Sequence, residues 1–121
     1  MDTFYEEDIL GEGFQRTTLS LRDDYEGSAV ATLVRRLSDT GNGRSVLYIH
    51  GFNDYFFQRE MACRLNERSF HFYALDLRKY GRSWLSHQKF NDIRDIRVYF
   101  EEITLALQMI REEGSRITVL L

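Results

Sequence analysis

The residues His50-Gly51-Phe52 follow a continuous apolar run, Val46-Leu47-Tyr48-Ile49. A glycine just past a buried strand lets the backbone turn sharply and present an N–H group. Fixed in a dry site, such an N–H can hold the charge that develops on an oxygen during acyl transfer, because the dipole need not reorganise as the charge forms. The plainer reading is a tight turn that needs Gly51 for its backbone angles. A second segment, Asp76-Leu77-Arg78-Lys79-Tyr80-Gly81-Arg82-Ser83, closes another strand-like run. Asp76 suits a loop anchor, a carboxylate that accepts backbone N–H groups or pairs with an arginine of the turn. Gly81 suits a conformation closed to residues with a Cβ, and Ser83 a cap or turn. Ser83, Ser86 and His87 are near one another and, with Asp76, supply the residue types of a nucleophile–base–acid set. His71 lies within a strand and reads as a face residue. The histidines, Cys63 and the carboxylates show no metal-ligand spacing, and no cofactor is expected.

These residues must be positioned by the elements around them. Phe14 to Leu21 alternates and is rich in β-formers, Arg22 to Gly27 is a turn, and Ala29 to Leu37 reads as a second strand, so 14–37 predicts a hairpin. Residues 1–11 fit a short helix or an irregular arm. The loop 39–44 has Gly41 and Gly43 before a strand and not after one, which argues against phosphate binding. Ser45–Ile49 reads as a strand covered on both faces. Asp54 to Arg68 reads as a helix, with Phe57, Met61 and Leu65 on one face and Asn53 or Asp54 at its cap. Phe70–Leu77 is the next strand. Ile96, Phe100, Ile103, Leu107 and Ile110 mark the inner face of a long helix, and Gly114 stands at its C-terminal cap. Ile117–Leu121 is the last strand. Strand–helix–strand–helix–strand implies parallel pairing with right-handed crossovers, so the fold class is α/β with a front hairpin. Functional loops in such sheets lie at the carboxyl ends of the strands, here after Ile49, Leu77 and Leu121.

The totals limit the functions. The 121 residues are 43% apolar and 29% charged, as in a globular domain, and contain no proline. A net charge of −3 argues against an electrostatic hold on nucleic acid. One cysteine, Cys63, allows no internal disulfide. The acidic opening lacks a basic, then apolar, leader, and no stretch is long enough for a transmembrane segment. A cytoplasmic protein is expected.

The run Ser45 to Phe52 with Asn53-Asp54-Tyr55-Phe56-Phe57 resembles the α/β-hydrolase superfamily, and most of all the serine aminopeptidase S33, monoacylglycerol lipase and lysophospholipase group. Tyr73 to Ser83 is similar to the family's Asp-x-Arg-x-x-Gly-x-Ser segment after its fourth strand. The front hairpin, the helices and the final strand match in order and length, so the resemblance covers nearly the whole chain. The absence of a proline after His50-Gly51 favours this group over epoxide hydrolases and dehalogenases.

The resemblance implies that the Phe52 N–H is one oxyanion donor, that His50 and Gly51 shape its loop, and that Asp76, Gly81 and Ser83 anchor the second loop. In this family the nucleophile sits on a G-x-S-x-G elbow after the fifth strand, followed by the acid and the histidine. Residues 117–121 resemble that fifth strand. The chain is therefore expected to be a single truncated domain, 1–121, with no catalytic residue of its own, and a triad from Ser83, Ser86, His87 and Asp76 would need an order foreign to the fold. The expected function is the N-terminal part of a serine hydrolase acting on a small-molecule carboxylic ester. The alternative is a non-catalytic half-hydrolase that pairs through its last strand, an apolar edge open to self-association through 117–121. A nucleotide-binding or receiver-like domain would need a glycine-rich loop or a carboxylate cluster where His50-Gly51 stands.

Overall fold

The computed structural model of the chain describes residues 4–51 and 58–120. In chain order the elements are β1 (Glu6–Glu7), β2 (Phe14–Asp24), β3 (Gly27–Arg36), β4 (Arg44–Ile49), α1 (Arg59–Glu67), β5 (Phe70–Asp76), α2 (Tyr99–Glu112) and β6 (Arg116–Leu120). They form one mixed sheet in the order β1-β2-β3-β5-β4-β6. The front strands are antiparallel, and β3 continues antiparallel into β5 with Leu33 opposite Leu75. The parallel part is built on β4, which pairs with β5 on one side (Ile49 opposite Leu75) and with β6 on the other (Val46 opposite Thr118).

Period-two alternation divides the strand residues between two layers. On one face Leu19, Ala31, Leu33, Leu47, Tyr73 and Leu75 pack against Ala106 and Ile110 of α2. On the other, Phe14, Val34, Phe72 and Ala74 pack against Ala62 of α1, with Met61 and Leu65 at its margin. β4 and β5 are thus covered on both sides, which is why their sequences are nearly continuous apolar runs. Helix α2 stops where Gly114, at φ +92°, takes a left-handed conformation. Its N–H donates to the Arg111 carbonyl and the Ser115 N–H to the Ile110 carbonyl, a Schellman closure. The Arg116 N–H then bonds the Gly43 carbonyl at 2.8 Å and starts β6 beside β4.

Three details differ from the sequence pattern. Glu6–Glu7 form a short strand paired with Arg16 and Gln15 of β2, in place of the expected short helix or irregular arm. The helix expected from Asp54 is described from Arg59, and 54–57 lie outside the described residues. The inner face of α2 is Glu102, Ala106 and Ile110, while Ile96 and Phe100 are 73% and 64% exposed. A buried ion pair between Glu102 and Arg78 turns the helix. Among the described residues no helix is long and apolar enough to cross a membrane.

Candidate functional site

The two expected loops lie side by side at the carboxyl ends of β4 and β5, because parallel strands deliver their ends to one edge. His50, directly after β4, is 6% exposed. Its Nε2 accepts the Leu77 N–H at 3.1 Å, which leaves the proton on Nδ1, 2.8 Å from the Gly51 carbonyl. The imidazole also packs against the Tyr80 ring with centroids 4.6 Å apart. One side chain thus joins the first loop to the second. Gly51 has no left-handed φ, and among the described residues a Cβ there would meet nothing within 4 Å. Phe52, the expected oxyanion donor, lies outside the described residues.

The second loop is held by charge. Asp76 is fully buried, and its Oδ2 accepts both the backbone N–H of Arg82 (3.1 Å) and the Arg82 guanidinium (2.9 Å). The same guanidinium grips Asp8 of the N-terminal arm through two bonds, 2.7 and 2.8 Å. Burial pushes the Asp8 carboxyl up, but Arg82 more than offsets this and holds it below its ordinary value. Gly81 sits at φ +44°, where a Cβ is disfavoured, and opens the 3-10 turn Gly81–Ser83. Ser83 is fully buried, and its Oγ donates to the Asp76 carbonyl at 2.6 Å, with Thr32 Oγ1 3.0 Å away. It ties loop to sheet and is not presented to solvent. His87 faces the Ser28 carbonyl at 2.9 Å. The described geometry therefore gathers no triad from Ser83, His87 and the Asp76 carboxylate.

Two further cations were not singled out by residue type. Arg78, 3% exposed, makes a forked pair with the fully buried Glu102 of α2 and reaches Glu101 and the Val98 carbonyl. The Arg78 backbone N–H also donates to Glu102 Oε2 at 2.8 Å. Lys79, wholly buried, contacts Asp24 and Glu26 at the tip of the β2–β3 hairpin, at 2.7 and 2.6 Å. Burial works against its charge, but the two carboxylates outweigh this and push the ammonium's pKa up. The signal for both was the density of cations in Arg78-Lys79-Tyr80-Gly81-Arg82, directly after a buried strand, with Glu101-Glu102 on the following helix.

Between the two loops and the start of α2 opens a cleft of about 570 Å³, lined by Ile49, His50, Gly51, Leu77, Tyr80, Ile96, Tyr99 and Phe100 among others. Its wall is mostly apolar. Burial and the neighbouring Tyr80 hydroxyl hold the Tyr99 phenol above its ordinary pKa, so it lines the cleft uncharged. The arrangement is a backbone turn at a strand end, facing an apolar space. Such a space can take an apolar group.

No family model matches the sequence, and no curated protein matches it. Solved structures do. The chain is similar to a thermostable carboxyl esterase from Bacillus coagulans, in complex with glycerol, with a TM-score of 0.67 and 16% identity over 86% of this chain and 35% of that one. It is similar to a cold-adapted esterase from an Arctic intertidal metagenomic library, with a TM-score of 0.54 and 18% identity over 98% and 54%. An epoxide hydrolase from an endophytic Streptomyces matches with a TM-score of 0.52 and 21% identity over 86% and 29%. The chain spans about a third to a half of the length of the two esterases. At these identities the likeness speaks for the fold, and the fold is that of the α/β-hydrolases over the part the chain spans.

Proposed function

We propose that this chain is the N-terminal part of a serine hydrolase of carboxylic esters, closest in kind to the S33, lysophospholipase and monoacylglycerol lipase group. Strands β4 and β5 and their loops would supply one half of the active site: the Phe52 N–H as an oxyanion donor, His50 and Gly51 as its frame, and Asp76, Gly81 and Ser83 as anchors of the adjoining loop. The nucleophile, acid and histidine would come from chain beyond residue 121. There a serine would attack the ester carbonyl, a histidine would move the proton, and the loop would hold the oxyanion. The reading needs no cofactor and fits a cytoplasmic protein. The observation that carries it is the apolar cleft beside the His50-Gly51 turn, in a fold shared with ester hydrolases. The likeness to an epoxide hydrolase leaves the choice of ester chemistry to the residues after His50.

Fluorophosphonate labelling tests this. A longer product of the same gene should be labelled, and the 121-residue chain alone should not. Label on the short chain would place a nucleophile within it and overturn the assignment.

One observation favours a second reading. Among the described residues β6 pairs with β4 alone and stands at the sheet edge. A non-catalytic module could pair through 117–121. Light scattering of the 121-residue chain decides: a concentration-dependent dimer lost on Thr118→Pro supports pairing, and a monomer at high concentration removes it.

A further inference from the structure

Lys79 combines two unfavourable features. Its backbone lies at φ +66°, a region that residues with a Cβ avoid. Its ammonium is wholly buried. Such features persist where the surroundings over-determine them, and they point to a role. The partners of the ammonium all come from outside its own turn. Asp24 and Glu26 belong to the hairpin tip, the Asp92 carbonyl accepts at 2.6 Å, and the Tyr25 ring lies 4.5 Å away.

The residues on either side of Lys79 reach the first loop. The left-handed turn brings the Tyr80 N–H back to the Leu77 carbonyl at 3.1 Å and sets the Tyr80 ring on His50. Leu77 in turn donates its N–H to His50 Nε2. His50 is thus held from two sides by one short turn, and its remaining N–H meets the Gly51 carbonyl.

We propose that Lys79 is the positioning residue of the His50-Gly51 loop: the hairpin-tip carboxylates hold its ammonium, its turn presses Tyr80 and Leu77 onto His50, and His50 is fixed as the Nδ1–H tautomer. The front hairpin, whose tip lies at the carboxyl end of β5, therefore sets the loop through the turn after β5. The importance of this for catalysis rests on the hydrolase reading, while the coupling itself does not.

The readout is the nitrogen spectrum of the imidazoles in the 15N-labelled 121-residue chain, in slightly alkaline buffer. His50 should show a pyrrole-type Nδ1 and a pyridine-type Nε2. Lys79→Met, Lys79→Gly and the double variant Asp24→Asn/Glu26→Gln should each lose this single-tautomer signature, and Lys79→Arg should retain it. His71, bonded to the Ser38 N–H away from the hairpin tip, serves as an internal reference, and its unchanged signal reports an intact fold. Lys79→Gly is decisive, because it keeps the left-handed backbone accessible and removes only the anchor. An unchanged His50 in that variant overturns the proposal, as does a wild-type His50 protonated on Nε2. If Lys79→Met unfolds, the glycine and carboxylate variants give the same answer. A longer gene product that resists fluorophosphonate while His50 keeps its signature would sink the hydrolase reading and leave the positioning role standing.

Discussion

The loop after β5 is tied to three separate elements by Arg78, Lys79 and Arg82, together with Asp76. In the described part of the loop after β4, the tie is a single imidazole, His50. The two stand next to each other at one sheet edge, yet one is a rigid frame and the other is positioned against it. A fixed support beside a lightly held backbone turn is what a preorganised donor requires, since precision is borrowed from the neighbour.

The contrast can be broken or sharpened by substitution. The largest effect belongs to the frame. Glu102→Leu leaves the buried Arg78 guanidinium with Glu101 as its remaining carboxylate and its backbone N–H without the Glu102 acceptor, and should cost about 3 kcal/mol in urea unfolding. The double variant Arg78→Leu/Glu102→Leu should recover much of that loss. A double-variant loss equal to the sum of the two single losses would show that the pair does not hold the loop. His50→Phe should cost less, about 1–3 kcal/mol, from the Leu77 N–H left without its acceptor. A loss larger than that of Glu102→Leu would reverse the comparison. Gly81→Ala tests backbone and not charge. At φ +44° it should cost about 1–2 kcal/mol, measured as a lower denaturation midpoint. The smallest effect is graded with pH. Asp8 and Asp24 have folded-state pKa values below the unfolded carboxylate value of about 3.9. Their contribution is therefore present above that pH and is lost as pH falls through the lower folded values. Stability should decline below about pH 4, with a shallower slope in Asp8→Asn. An unchanged slope would remove Arg82–Asp8 from the frame.

The architecture was legible where one physical signal dominates. The apolar runs at 45–49 and 70–77 could be only buried strands or buried helix, and their length and β-branched or aromatic content favoured strands. Gly114 was legible as a cap because left-handed closure needs what glycine offers. The face of α2 was not. Its apolar spacing pointed inward through Phe100, but Arg78 draws Glu102 to the centre and rotates that stripe toward the cleft. Periodicity scores a glutamate as surface and cannot see a distant arginine. Asp76, Gly81 and Ser83 could be named together because they share one turn. Lys79 was not singled out, since its carboxylate partners lie more than fifty residues earlier in the hairpin.

The sheet order also bears on how the chain is made. β3 and β4 are consecutive in sequence, yet β5 lies between them. Until residues 70–76 arrive, the facing edges of both strands have no ladder partner. Synthesis at roughly 5–20 residues per second leaves that gap open for about 1–4 s while residues 50–69 emerge. During this interval a nascent chain carries two apolar edges at once, a target for chaperones and for pairing with a neighbouring copy on the same message. The insertion of β5 is thus the step that closes both facing edges.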